Sequence, residues 1–189
     1  MATTPRILTA DDVLDLPVPE GLLGYEFVDG ELVPVTPASA VHAKLVGLVA
    51  RALINYVLDG ELPGEVYVDA AFVLGLRGDP ERVRAPDVSY VRREKVEAHP
   101  DPERIFRCVP DLAIEIDLTS GKKPGGQQRI IEYLEAGVPL VWAIDPRSRT
   151  AMVYHPDGSA RLLRSDESLD GEDVVPGFRL ELSGLFASR

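Results

Sequence analysis

The residues with the most chemical potential are acids placed where a sheet should be apolar. Asp87 opens the run Asp87-Val88-Ser89-Tyr90-Val91 just after Pro86, and Glu115 sits inside Leu112-Ala113-Ile114-Glu115-Ile116-Asp117-Leu118. A carboxylate within a buried strand is costly unless it is paired or bound to a metal. Glu115 and Asp117 alternate with Ile116, so in an extended chain they point to one face. Like charges at that spacing repel, and a hard divalent cation such as Mg²⁺ or Mn²⁺ is an efficient remedy. The same acids could instead cap strand ends or pair with Arg129 or Lys122 in a structural ion network. Spacing leaves both readings open.

Elements that could hold such acids are legible along the chain. Thr9 followed by Ala10-Asp11-Asp12 reads as an N-cap opening a short helix through Leu16. Tyr25 to Val28 and Glu31 to Val35 flank Asp29-Gly30, the strongest short hairpin signal. From Ser39 to Leu58, apolar residues recur in steps of three and four, which predicts a long amphipathic helix. Strands are expected over Glu65 to Asp69, Ala71 to Leu76 and Asp87 to Val91. Arg92 to Arg107, charged and carrying Pro100 and Pro102, reads as a surface excursion.

Leu112 to Leu118 then has the apolar density of a doubly covered central strand. Pro124 to Ala136 is a second helix with Gly137 as its stop, followed by a buried strand from Val138 to Ile144. That strand–helix–strand unit predicts a parallel crossover. A last hairpin turns at Pro156-Asp157-Gly158, and the apolar tail from Val174 to Phe186 should pack back on the core. The expected architecture is one α/β domain over residues 1–189, a mixed central sheet flanked by helices with additional β-hairpins.

Composition narrows the function. A net charge of −11 and a hydrophobic share of 45% describe an acidic globular chain, without a broad basic surface for gripping nucleic acid. Local clusters could still meet phosphates: Arg82, Arg84, Arg92, Arg93 and Lys95 form one, and Lys122, Lys123 and Arg129 another. No apolar run approaches the ~20 residues of a membrane helix, and the N-terminus has no secretory h-region. A single cysteine, Cys108, suits a reducing cytosol.

Several matching pieces occur in one order: Tyr25-Glu26-Phe27-Val28-Asp29-Gly30-Glu31, His42, Ala85-Pro86-Asp87-Val88, Pro110-Asp111-Leu112-Ala113-Ile114-Glu115-Ile116, and Tyr133-Leu134-Glu135-Ala136-Gly137-Val138-Pro139 running into Val141-Trp142-Ala143-Ile144-Asp145-Pro146. On these the chain resembles the Uma-type putative restriction endonuclease family of the PD-(D/E)xK nuclease superfamily, from about Thr9 to Phe186. The resemblance implies a restriction-endonuclease-like fold that hydrolyses DNA phosphodiesters with Mg²⁺ or Mn²⁺. It implies Asp87 and Glu115 as metal ligands, helped by the Ile116 carbonyl, with Glu26 as a further acid. Cutting both strands at once would need two centres, hence a homodimer.

The chain departs from that pattern at its basic group. The lysine expected two residues after the acid is replaced by Asp117, and the family's helix-borne lysine falls at Arg129, one turn before Tyr133. Arginine donates bidentately to phosphate but cannot act as a base. Lys122 and Lys123 in the intervening loop could substitute. The alternative function is therefore a nuclease fold that no longer cuts and serves as a binding or assembly module. His42 is read as a capping or packing residue, His99 and His155 as solvent-facing, and Cys108 and Trp142 as core residues. Gly125-Gly126 lacks the setting of a nucleotide-binding loop, and no zinc spacing or Gly-x-Ser-x-Gly elbow occurs.

Overall fold

The computed structural model describes residues 8–60, 62–99, 101–116 and 126–187. A six-stranded mixed sheet forms its centre, ordered β10-β9-β8-β7-β6-β3. Its strands are β3 (Gly64–Val68), β6 (Val88–Arg92), β7 (Leu112–Ile116), β8 (Leu140–Asp145), β9 (Thr150–Tyr154) and β10 (Ala160–Leu163). Only β7 and β8 run parallel, joined through helix α3 (Gly126–Glu135), as the crossover pattern requires. Helix α3 ends at Gly137, whose φ of 85° closes the helix in the left-handed region.

Strand alternation divides β7 between two cores. Leu112, Ile114 and Ile116 join the cluster under helix α1 (Ala40–Asp59), whereas Ala113 faces Ile130 and Tyr133 of α3. Glu115 shares the parity of Ala113, so its carboxylate enters the α3 side. Helix α1 buries Leu45, Val49, Leu53 and Val57, and Ser39 caps it by accepting the His42 amide at 3.2 Å. Among the described residues α1 alone is long and apolar enough to cross a membrane, with a mean hydropathy of 1.4. Interrupting polar residues hid that property from the search for an apolar run. Here its apolar stripe packs on the sheet.

A smaller antiparallel sheet, ordered β2-β1-β5-β4, covers the end of the central one. It comprises β1 (Gly24–Val28), β2 (Glu31–Val35), β4 (Phe72–Val73) and β5 (Val83–Arg84). The β1–β2 turn places Asp29 at φ 51° and Gly30 at φ 79°, the twist a two-residue hairpin needs. Thr9 and Asp12 exchange the hydrogen bonds of a capping box at the short 3₁₀ helix Ala10–Asp15. Val13, Phe27, Val83 and Ile105 fill the space between them.

Three expectations need correction. The stretch after β6 is more than a surface excursion: it holds helix α2 (Arg93–Glu97), and Ile105 and Phe106 are buried. Phe106 stacks on Phe72 with ring centres 5.0 Å apart, so apolar residues at the end of a charged stretch close a core. The expected strand from Ala71 to Leu76 contracts to β4 because its partner β5 offers only two residues. The C-terminal tail does pack inward, through Val175, Phe178, Leu182 and Leu185, but it also forms the ladder of β11 (Ser168–Asp170) with β12 (Arg179–Glu181), ahead of helix α4 (Leu182–Ala187).

Candidate active site

The antiparallel register that pairs Val88 with Ile114 carries Asp87 next to Glu115 at the ends of β6 and β7. One Asp87 oxygen accepts the Ile116 amide at 2.6 Å, and the other lies 3.2 Å from His42 Nε2. Asp87 is 1% exposed and Glu115 is fully buried. Strand pairing sets the two acids beside each other, while the first turn of α1 and the backbone of β7 hold the aspartate's rotamer.

Helix α3 brings Arg129 onto the same spot. Its Nε and Nη2 donate to Glu115 Oε1 at 2.9 and 2.7 Å, Nη1 donates to both Glu26 oxygens, and Nη2 reaches the Ala85 carbonyl at 2.9 Å. The Tyr133 hydroxyl, one turn further along α3, donates to Glu115 Oε1 at 2.8 Å. Burial opposes charge on Arg129, but Glu115, Tyr133 and Glu26 hold its pKa well above the ordinary value. Burial pushes Glu26 up, and the opposing pull of Arg129 and Arg84 leaves it below the usual carboxylate value.

The ionic chain continues beyond these residues. Arg84 donates to Glu26 at 2.8 Å and to Glu132 at 2.6 Å; Arg82 bridges Glu132, Asp79 and Asp29. This corrects the reading of Arg82 and Arg84 as part of a basic surface cluster. Both are buried, with their charges met by acids from α3 and from the β1–β2 turn. Lys95 is likewise engaged, by Asp111 and the Val109 carbonyl, and Arg92 reaches the Asp173 carbonyl.

Glu26, Asp87, Glu115, Ile116 and Arg129 are thus assembled at one place. Lys122, Lys123 and Asp117 lie outside the described residues. His42, assigned to capping or packing, stands at the site because α1 begins over the strand ends. His99 is half-buried and stacked on Phe106 rather than solvent-facing, while His155 pairs with Glu172. Trp142 is a core residue, fully buried, and Cys108 is half-buried with its thiol pKa raised by burial.

The donor set bears on metal binding. Asp87, Glu115 and the Ile116 carbonyl offer hard oxygens, which suit Mg²⁺ or Mn²⁺. Among the described residues no group of three or more His, Cys, Asp or Glu side chains forms a ready cage. The residues therefore fit a hydrated dication held by two carboxylates, the usual manner for Mg²⁺. Glu115 Oε1 is already taken by Arg129 and Tyr133, which leaves the remaining carboxylate oxygens for that task.

A mixed sheet with a central parallel pair, acids at adjoining strand ends and a helix delivering a cation is the framework of a restriction-endonuclease-like protein. The chain belongs to the Uma2 family, described as "Putative restriction endonuclease", whose model matches residues 10–183. Its structure is similar to the crystal structure of a putative nuclease belonging to DUF820 from Anabaena variabilis, with a TM-score of 0.77 at 20% identity, covering 95% of this chain and 98% of that one. At that identity the likeness establishes a shared fold. A comparison with curated proteins gives no match.

Proposed function

We propose that this protein is a metal-dependent endonuclease that hydrolyses DNA phosphodiester bonds. The observation that carries the reading is the placement of Asp87 beside Glu115, with Asp87 fixed by the Ile116 amide and His42. Asp87, Glu115 and the Ile116 carbonyl would hold Mg²⁺ or Mn²⁺. When bound, the cation supplies Lewis-acid activation of the phosphodiester and of water. Arg129 stays charged and contributes electrostatic stabilisation of the phosphate, not proton abstraction. Glu26 orients Arg129 rather than adding a third ligand, since guanidinium groups engage both its oxygens. Lys122 is the basic group proposed to complete the site. A homodimer in the cytosol, cutting both strands of its DNA partner, completes the reading.

Calorimetric titration with Mn²⁺ tests the site directly. Wild type should bind the ion and cut plasmid DNA in Mg²⁺, and Glu115→Gln should lose both while keeping its circular dichroism. A wild type that binds no divalent ion and cuts no DNA or RNA sinks the proposal.

One observation favours a second reading, a nuclease fold without cleavage. Arg129 occupies the helix position where the family carries lysine and already engages Glu115 and Glu26. Cleavage that appears in Arg129→Lys and is missing in wild type identifies that reading.

A further inference from the structure

The site opens into a cleft of about 640 Å³, walled by the 3₁₀ helix, β1, β2 and the start of α1. Its two ends differ in chemistry. One end holds Asp87, Arg129, His42 and the strand end at Ile116; the other is apolar, with Leu14, Val18, Leu23, Tyr25 and Val68. Four of those side chains are unusually open for large apolar groups: Leu14 is 52% exposed, Val18 47%, Leu23 63% and Val68 46%. Scattered exposed leucines need no explanation, but a set gathered on one concave wall beside a polar site does.

The cleft is also poor in cations. Among its described lining residues no lysine occurs, and the one arginine, Arg129, is 2% exposed and committed to Glu115 and Glu26. A duplex presents two phosphate strands and is held by rows of exposed Lys and Arg. An unpaired nucleotide needs something else: polar contacts for its phosphate and an apolar or aromatic wall for its base. The cleft has that division, and its volume falls in the range of pockets that enclose one small ligand.

We propose that the apolar wall formed by Leu14, Val18, Leu23, Tyr25 and Val68 is a nucleobase subsite, so that the site takes unpaired DNA rather than a continuous duplex. The inference rests on the nuclease reading for its choice of ligand. The base lies against the wall while the phosphate next to it faces Asp87, and pairing to a second strand would withdraw the base from the wall.

Binding, scored apart from cleavage, is the test. Fluorescence anisotropy in Mg²⁺ compares a labelled oligothymidylate with the same length of fully paired duplex. Wild type should prefer the oligothymidylate, and Leu23→Asn and Leu14→Asn should weaken that binding by roughly ten-fold, the scale of one lost base contact. Both positions are exposed, so the substitutions leave the fold intact. Leu58→Asn, equally exposed at the far end of α1, should bind as wild type does. Equal or tighter binding of the duplex overturns the proposal, as does an unchanged affinity in Leu23→Asn. A dimer that Leu23→Asn dissociates, with no oligonucleotide bound, also overturns it and assigns the wall to a second copy of the chain. Oligothymidylate binding in the expected pattern without cutting supports the subsite and removes the nuclease reading. Duplex cutting that Leu23→Asn leaves unaltered does the reverse.

Discussion

Arg129 lies against Glu115 with two of its nitrogens on the same carboxylate oxygen, at 2.9 and 2.7 Å, and neither residue is more than 2% exposed. Both charges have left water, so each depends on the other. Removing one partner of such a pair costs more than the pair itself contributes, because the survivor remains buried and uncompensated.

Arg129→Met should therefore lower stability by about 3–5 kcal/mol, since Glu115 and Glu26 lose a shared counter-ion. Arg129→Lys keeps the charge but loses the planar fork that reaches Glu26, Glu115 and the Ala85 carbonyl together, and should cost about 1–3 kcal/mol. Urea unfolding of the two variants gives the comparison. An Arg129→Met protein as stable as wild type would show that the buried chain is not coupled to the fold.

Glu26 supplies the pH dependence. Its folded-state pKa is held below the ordinary 4.5: burial raises it, and the opposing effects of Arg129 and Arg84 prevail. A depressed carboxylate contributes stability that is complete above the unfolded pKa and is lost as pH falls through the folded one. The stability gap between wild type and Glu26→Gln should thus be widest at neutral pH and narrow on acidification below 4.5. Unfolding curves at neutral and acid pH read it. A gap that stays constant through the acid limb contradicts the assignment.

The sequence exposes the strands that carry Asp87 and Glu115 because their neighbours are apolar and short of turns. Val88, Tyr90, Val91, Leu112 and Ile114 are all buried where the pattern places them. The ionic chain behind them was not legible. Arg82 and Arg84 read as a surface cluster because charge runs usually face water, and their acid partners are distant in sequence: Glu26 stands 58 residues from Arg84, and Glu132 stands 50 from Arg82. Strand β5 escaped for the same reason, since two residues carry no periodicity and one of them is charged. His42 was legible as a helix-start residue; that this helix starts above Asp87 follows from sheet order, which no local pattern encodes.

Tyr133 offers a check at the alkaline end. Burial raises its phenol well above the ordinary 10.0, Glu115 and Glu26 push in the same direction, and Arg129 opposes them. A group with a raised folded-state pKa contributes stability that is complete below its unfolded value and is lost as pH rises toward the folded one. Wild type should lose stability above pH 10.0 more steeply than Tyr133→Phe. At neutral pH Tyr133→Phe removes a donor to a buried carboxylate and should cost about 1.5–3 kcal/mol. Parallel alkaline limbs in the two proteins would place the hydroxyl outside the Glu115 pair.

His42 separates packing from positioning. Ser39 caps α1 and so sets the first turn from which His42 reaches Asp87, whose other oxygen is held by the Ile116 amide. Groups that orient a metal-binding carboxylate typically matter by 10–100-fold in affinity. If Asp87 binds the cation, His42→Ala should weaken Mn²⁺ by at least roughly ten-fold in calorimetry, because one side of the carboxylate becomes free to rotate. Ser39→Ala should cost about 1 kcal/mol of helix stability. Its Mn²⁺ affinity should change far less, because the later turns of α1 still pack on the sheet through Leu45 and Val49. Equal Mn²⁺ affinity in His42→Ala and wild type would return His42 to the role of a packing residue.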